Sequence, residues 1–357
     1  MDSLADQPPG PTQTSPDAEK DAAKADAGVA LIVTEWRLLT GGTCRSISDL
    51  DRRTLIACSG GADSSALTLA LADATSELVV GHVVHDLRPP LIARRDRDRA
   101  AALAARLGLP FVENDIYPAA QGGNAEATAR RLRYEALTKL AKQHGCRFIA
   151  TAHHADDQLE TILMALMRGS GPRGLSGIAR TRPIEDDLVL IRPMLQATSE
   201  DARRICEQAN CSWIEDETNN DTTRLRAALR QNVIPELQRL RPGVALRAVT
   251  AAQLQAGAAD LIDRHVSDLL EIATHDTARI TWQRVDLADQ PAIVLGSLVR
   301  KAVEETCMGK GLDQLPSRTI TAIANAISDH KGQKRVFTLK NASIQITQTK
   351  VSVRRKT

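Results

Sequence analysis

Aromatic side chains are scarce in this sequence: Trp, Tyr and Phe together make up 2% of 357 residues. A core must therefore be packed from Leu, Ile, Val and many alanines, which hydrophobic residues at 43% can supply. No apolar run is long enough to span a bilayer, so no membrane partner is expected. The N-terminus lacks the basic start and apolar segment of a secretory signal, and the expected setting is the cytoplasm. The six cysteines (Cys44, Cys58, Cys146, Cys206, Cys211 and Cys307) show no Cys-x-x-Cys spacing. Free thiols in a reducing compartment are expected, and the step from Cys206 to Cys211 fits no metal pattern well. An excess of one charge is also missing. At a net +2, any nucleic-acid surface must be a local patch.

What is present begins at Ser59-Gly60-Gly61-Ala62-Asp63-Ser64. An apolar stretch of strand character, Thr54–Cys58, precedes it, and a helix-forming stretch, Ser65–Ala72, follows. Strand, glycine-rich turn and helix turn backbone into an anion site: adjacent glycines bring bare N–H groups close to a ligand, and the helix N-terminus adds donors and partial positive charge. Phosphate is the natural occupant. The loop is neither a Walker A motif, because no lysine lies near Gly61, nor Gly-x-Gly-x-x-Gly. Asp63 lies inside it, and a carboxylate beside phosphates implies an intervening cation, Mg²⁺. The alternative is a Ser/Gly turn in which Ser64 or Asp63 caps the helix.

Further apolar strands are expected at Leu78–Val84, Phe111–Asp115, Arg147–Ala152 and Leu188–Leu195, with helices at Ile92–Leu107, Ala125–His144 and Ser199–Ala209 between or after them. This alternation predicts an α/β fold: a doubly wound parallel five-stranded sheet covered on both faces. Ligands of such sheets sit at strand C-terminal ends, where His85 and Arg88 fall. His153-His154-Ala155-Asp156-Asp157-Gln158-Leu159-Glu160 follows the fourth strand. Read as helix, it puts His153, Asp157 and Glu160 on one face; Asp156 and Asp157 also suit a helix N-terminus. Arg168–Gly177 reads as a basic, glycine-rich mobile loop. Asp216–Asp221 reads as an acidic turn, and a basic helix starts near Arg224. Residues 1–28 are expected to be disordered, residues 29–234 to form the site-bearing domain, and residues 235–357 a smaller, mainly helical α+β domain. Two or three short strands close the chain, between Arg335 and Arg354. No acid occurs after Asp329, which fits either phosphate-backbone binding or a solvated, lysine-protected edge.

Together these motifs resemble the PP-loop ATP pyrophosphatase superfamily and, within it, the bacterial tRNA(Ile)-lysidine synthetases. The carriers are the Ser59–Ser64 loop, His85-Asp86-Leu87-Arg88, the block from Gly123-Asn124 through Arg130 to Arg133-Tyr134, His153–Thr161, Arg192-Pro193-Met194-Leu195 and Asp216-Glu217-Thr218-Asn219. The likeness covers about residues 50–235. One departure is Ala227, where the family usually has Asn. The likeness implies a short form without the last C-terminal domain of longer members. It also implies an ATP- and Mg²⁺-dependent carbon–nitrogen ligase joining L-lysine to the first anticodon cytidine of tRNA(Ile) with a CAU anticodon, through an adenylated intermediate. Under it, Ser59, Gly60, Gly61, Ala62, Asp63, Ser64 and His85 would bind ATP, with Asp63 holding the metal. Asp157 and Glu160 would bind lysine. Asp63, His153, Asp157, Arg130 and Arg133 would serve catalysis, and Arg88, Arg168, Arg173, Arg226 and Arg230 would contact tRNA. Family members often dimerise; the sequence itself leaves this open. A related reading, PP-loop tRNA thiolation, would need catalytic cysteines or an iron–sulfur cluster.

Overall fold

The computed structural model describes residues 16–41, 49–87, 89–121, 125–185, 187–213, 225–308, 316–329 and 333–356. The chain divides into two compact units, Met1–Gln253 and Leu254–Thr357.

The first unit contains α1 (Pro16–Leu39), β1 (Thr54–Ala57), α2 (Ala62–Ala72), β2 (Leu78–His85), α3 (Pro90–Arg106), β3 (Phe111–Ile116) and α4 (Ala125–Gln143). It continues through β4 (Phe148–Ala150), α5 (Ala155–Met167), α6 (Pro172–Leu175), β5 (Thr181–Glu185), β6 (Leu188–Ile191) and α7 (Ser199–Gln208). Then come α8 (Leu225–Ala228), a π-helical turn (Leu229–Val233), α9 (Ile234–Leu240) and α10 (Val244–Glu271). The sheet order is β3-β2-β1-β4-β6-β5. Neighbours from β3 to β6 run parallel, with Leu55 beside Val79 and Ile149, whereas β5 runs antiparallel to β6.

Period-two alternation assigns the two faces. Ile56 points to a layer of α1, α2 and α7 that includes Ile32, Trp36, Leu67, Leu71 and Ile205. Leu55, Val79, Ile149 and Leu190 point the other way, onto Leu137, Leu140 and Ala141 of α4. With both faces covered, the central strands read as unbroken apolar runs. The expected five parallel strands are therefore present, with β5 added as a sixth. Its sequence, Thr-Arg-Pro-Ile-Glu, is polar, and Pro183 is tolerated because the strand lies at the edge.

Several boundaries differ from expectation. Residues 16–28 belong to α1, because that helix carries a buried face: Trp36 is 1% exposed and its Nε1 donates to Thr54 Oγ1 at 3.0 Å. The fifth parallel strand ends at Ile191, and Leu195 N–H turns back onto the Arg192 carbonyl. The division between units falls inside α10 rather than after residue 234, since Ile234, Ala245, Ala248 and Val249 pack against Ala155 and Leu159 of α5.

The second unit is a five-stranded antiparallel sheet in the order β7-β8-β11-β10-β9. Its elements are β7 (Thr274–Asp276), β8 (Arg279–Gln283), α11 (Arg284–Ala288), α12 (Ala292–Thr306), α13 (Ser317–Ser328), β9 (Arg335–Thr338), β10 (Ala342–Ile346) and β11 (Lys350–Arg355). Two of the strands come before α12, where sequence reading placed none: Ile280 of β8 pairs with Val353 of β11. Arg284 is buried and donates to the carbonyls of Ile327, Ala326 and Thr347, tying α13 and the sheet together.

Candidate active site

In the parallel sheet, β1 is followed in sequence by β2 on one side, while β4 lies on its other side. That reversal of strand order opens a crevice at the strand C-termini. Two loops meet there, Cys58–Gly61 after β1 and Thr151–His154 after β4.

The first loop is shaped for close backbone approach. Gly60 has φ +85°, and a Cβ there would lie 2.7 Å from the Asp96 carbonyl oxygen of α3. Gly61 is the N-cap of α2, and no side chain caps that helix, so its first N–H groups face the crevice uncapped. Ser64 Oγ accepts the Ser59 N–H at 3.1 Å and lies 3.1 Å from Ser59 Oγ, which fixes the turn.

The second loop corrects the sequence reading of His153. The helix begins at Ala155, and His154 is its N-cap in extended conformation, with Asp157 accepting the His154 N–H at 3.2 Å. His153 therefore precedes the helix and does not share its face with Asp157 and Glu160. Asp157 is both the capping residue and a wall of the crevice.

The two adjacent histidines are driven in opposite directions. Burial pushes the His153 imidazole down to about 4, and its Nδ1 lies 3.0 Å from Thr151 Oγ1. His154 is also buried, which opposes its charge, but Asp157, Asp156 and Asp63 overcome this and hold it well above the usual range. Its Nε2 lies 3.6 Å from both Asp63 and Asp157 carboxylate oxygens, and its Nδ1 3.4 Å from Asp156. Burial would raise Asp156, yet His154 and the Ser199 N–H, at 2.9 Å, bring it down to about 2. At neutral pH the site thus holds a neutral His153 beside a charged His154.

A cleft of about 430 Å³ joins both loops. Of the expected residues, Ser59, Gly61, Asp63, Ser64, His85, Arg130, Arg133, His153, Asp157 and Arg226 line it. Ala62 opens α2 just behind the loop. Glu160 is fully buried, with one oxygen 2.7 Å from Arg226 Nε and the other 2.5 Å from Arg230 Nε. Arg230 also reaches Asp157 at 3.2 Å. Glu160, expected to bind lysine, and Arg226 and Arg230, expected to contact tRNA, thus form a clasp with one another, in which the two arginine side chains stay 44% and 40% exposed. Ala227 stands half-buried on α8.

Arg168 and Arg173 are exposed and do not line the cleft. Their loop is less free than expected. Gln158 accepts the Ile178 N–H at 2.6 Å and donates to the carbonyls of Ser176 and Ile178, and Gly177 at φ +62° leaves room for it. Arg88, Gly123-Asn124 and Asp216–Asp221 lie outside the described residues.

Sequence reasoning assigned no separate role to His154, Tyr134, His82 or Thr151, all at or beside the cleft. An Asp three residues after His154 was the available sign of a capping box. His82, inside an apolar strand with Nδ1 2.8 Å from the Cys58 carbonyl, carried no such sign.

Asp63 suits Mg²⁺. Its carboxylate is 44% exposed at the cleft wall, and this ion characteristically takes one or two carboxylates together with substrate phosphates. Among the described residues no cluster of three or more His, Cys, Asp or Glu forms an all-protein metal site.

A family model described as PP-loop domain matches residues 43–237. The tRNA(Ile)-lysidine synthase of Nostoc sp. is 33% identical over 234 residues, covering 64% of this chain and 67% of that protein. That of Bordetella bronchiseptica is 35% identical over 249 residues, covering 68% and 72%. That of Thermus thermophilus is 37% identical over 217 residues, and the match spans 59% of this chain but only 40% of that longer protein. Among solved structures, the U34-tRNA thiolase NcsA from Methanococcus maripaludis with its [4Fe-4S] cluster superposes with a TM-score of 0.50 at 14% identity, covering 65% of this chain and 80% of that one. At that identity the likeness concerns the fold alone.

Proposed function

The chain belongs to the PP-loop domain family and, within it, to the tRNA(Ile)-lysidine synthases, and on that premise we propose that it joins free L-lysine to carbon 2 of the cytidine at the first anticodon position of an isoleucine tRNA with a CAU anticodon. ATP activates the cytidine: the base oxygen on carbon 2 attacks the α-phosphorus, and the bond to pyrophosphate breaks. The ε-amine of lysine then attacks carbon 2, and AMP leaves.

The observation that carries this reading is the shared cleft. The uncapped start of α2 with its Gly60-Gly61 turn faces the same space as His153 and Asp157. Backbone N–H groups of the loop would hold the departing diphosphate. Asp63 would hold Mg²⁺ against it, and the ion would supply charge neutralisation. Arg130 and Arg133, which line the same cleft, would take the α-phosphate or the RNA backbone. Asp157, which lines the cleft, would receive the lysine ammonium. Glu160 holds Arg226 and Arg230 beside it, and nearby cations favour the neutral amine needed for attack. His153, neutral with its Nδ1 toward Thr151, suits a hydrogen-bonding or base-stacking role better than that of a strong base.

In the second unit, Lys334, Lys340, Lys350, Arg354, Arg355 and Lys356 are exposed, and such side chains suit tRNA phosphates. The thiolation alternative needs a reactive thiol. Burial pushes Cys58 up and Cys146 to about 11, whereas Cys211 is drawn down to about 6, chiefly by the Cys206 hydrogen bond and also by Arg106, but it does not line the cleft.

The test is incorporation of labelled lysine into CAU-anticodon tRNA(Ile), with methionine tRNA as the control. ATP-dependent labelling of the first alone is expected; sulfur transfer from thiosulfate in place of lysine would reject the reading. Asp157→Asn is expected to raise the lysine KM and lower turnover by ten-fold or more, roughly the cost of losing a charge-assisted contact. Unchanged constants would remove Asp157 from the lysine site.

A further inference from the structure

If the substrate is RNA, as proposed above, one base must enter the cleft while the rest of its loop lies outside. A second, more open groove of about 740 Å³ runs between α4 and the edge strand β5, and Arg130 and Tyr134 line both spaces. Its charges are unevenly compensated. Arg131 pairs with Glu135 at 2.7 Å, and Lys142 pairs with Glu185. Arg130, Lys139 and Arg182 have no ion pair among the described residues, and all three line the groove.

The two arginines gather on one aromatic ring. The guanidinium of Arg182 lies 4.6 Å and that of Arg130 5.4 Å from the Tyr134 centroid. Close by, burial pushes the Arg192 guanidinium below its usual range; Tyr134 opposes this, and Arg182 and Arg130 add to it. The groove sets five cations, Arg130, Arg131, Lys139, Lys142 and Arg182, against two carboxylates, Glu135 and Glu185, and that excess favours an anion. A tyrosine face flanked by guanidinium planes also accepts an unstacked base. An exposed solvated face would instead intersperse its charges as pairs, as Arg131 and Lys142 do.

We propose that the groove between α4 and β5 is the track along which the RNA loop enters the cleft, with Arg182 and Lys139 holding backbone phosphates and Tyr134 stacking a base. The occupant is single-stranded RNA, and the groove is distinct from the nucleotide-phosphate loop at Gly60-Gly61.

The test uses the full chain and a fluorescent anticodon stem-loop bearing CAU, titrated at several salt concentrations. Arg182→Ala and Lys139→Ala should each weaken binding roughly fivefold, and the double variant by more than tenfold. The salt slope should become shallower by about 0.7 for each cation removed. Tyr134→Phe should bind like the parent chain and Tyr134→Leu several-fold more weakly. Unfolding midpoints of the alanine variants identify any that fail to fold; in that case Arg182→Gln and Lys139→Gln replace them. Parent affinity and slope in the double variant would overturn the inference, as would displacement of the stem-loop from the parent chain by ATP alone. Such a result would leave the lysidine reading intact if the parent chain still labels tRNA(Ile). Absence of that labelling would count against the lysidine reading itself.

Discussion

At the scale of single residues, Gly60 and the two histidines carry the sharpest consequences. A side chain at Gly60 would have to adopt φ +85° and meet the Asp96 carbonyl at 2.7 Å. Gly60→Ala should therefore cost about 2 kcal/mol or more and abolish ATP binding; urea unfolding and equilibrium nucleotide binding check both. His153 and His154 separate by pH. A His153 neutral down to about 4 in the native state titrates near 6.5 when unfolded. Between those values the unfolded chain binds the extra proton, so stability should fall as pH drops through the window, by about 3 kcal/mol in full. His154 behaves oppositely. Its raised native value contributes stability that is complete below about 6.5 and lost only as pH rises above it. Asp156, held near 2, loses its contribution only below the ordinary carboxylate range. His82, also lowered by burial, adds a fall of the same sign below 6.5, so a His153→Gln variant should show a flatter but not flat stability profile there. An unchanged slope would place the protonation elsewhere.

At the scale of elements, the decisive contact joins α5 to the α8 and π-turn segment. Arg226 and Arg230 stand four residues apart and both reach Glu160, which is closed to solvent. The wide turn between them comes just before Pro235, whose missing N–H cannot continue the helical ladder. Glu160→Ala would leave two cations facing each other. It is expected to cost about 3 kcal/mol, the low end for breaking a buried pair because both arginine side chains remain 40–44% exposed. Glu160→Gln should cost less and still reduce lysine transfer. A Glu160→Ala chain unfolding at the parent urea midpoint would show that the clasp does not hold these elements together.

At the scale of the whole molecule, every wall of the cleft comes from residues between Ala57 and Arg226, inside the first unit. The second unit has its own core around Trp282, Leu295, Leu298, Ile323 and Ile344. Calorimetry should show two transitions, and ATP with Mg²⁺ should raise only one. At a hundredfold excess over Kd the gain is about 2.7 kcal/mol. A single transition that shifts as a whole would mean that the two units unfold as one.

The order of strands and helices was legible in the residues because a strand buried on both faces must be apolar throughout, as Leu55-Ile56 and Val79-Val80 are. The tight turn before α2 was legible because paired glycines between a strand and a helix permit the positive φ that Gly60 adopts. The polar edge strand β5 was not, since one paired side demands little of its composition. Nor could spacing show that His154, rather than His153, caps α5, or that Glu160 faces two arginines from sixty-six and seventy residues further on. Those outcomes depend on where distant segments come to lie. Local pattern governs backbone geometry and burial, whereas the charge state and partner of a buried group are decided by whatever the fold brings against it.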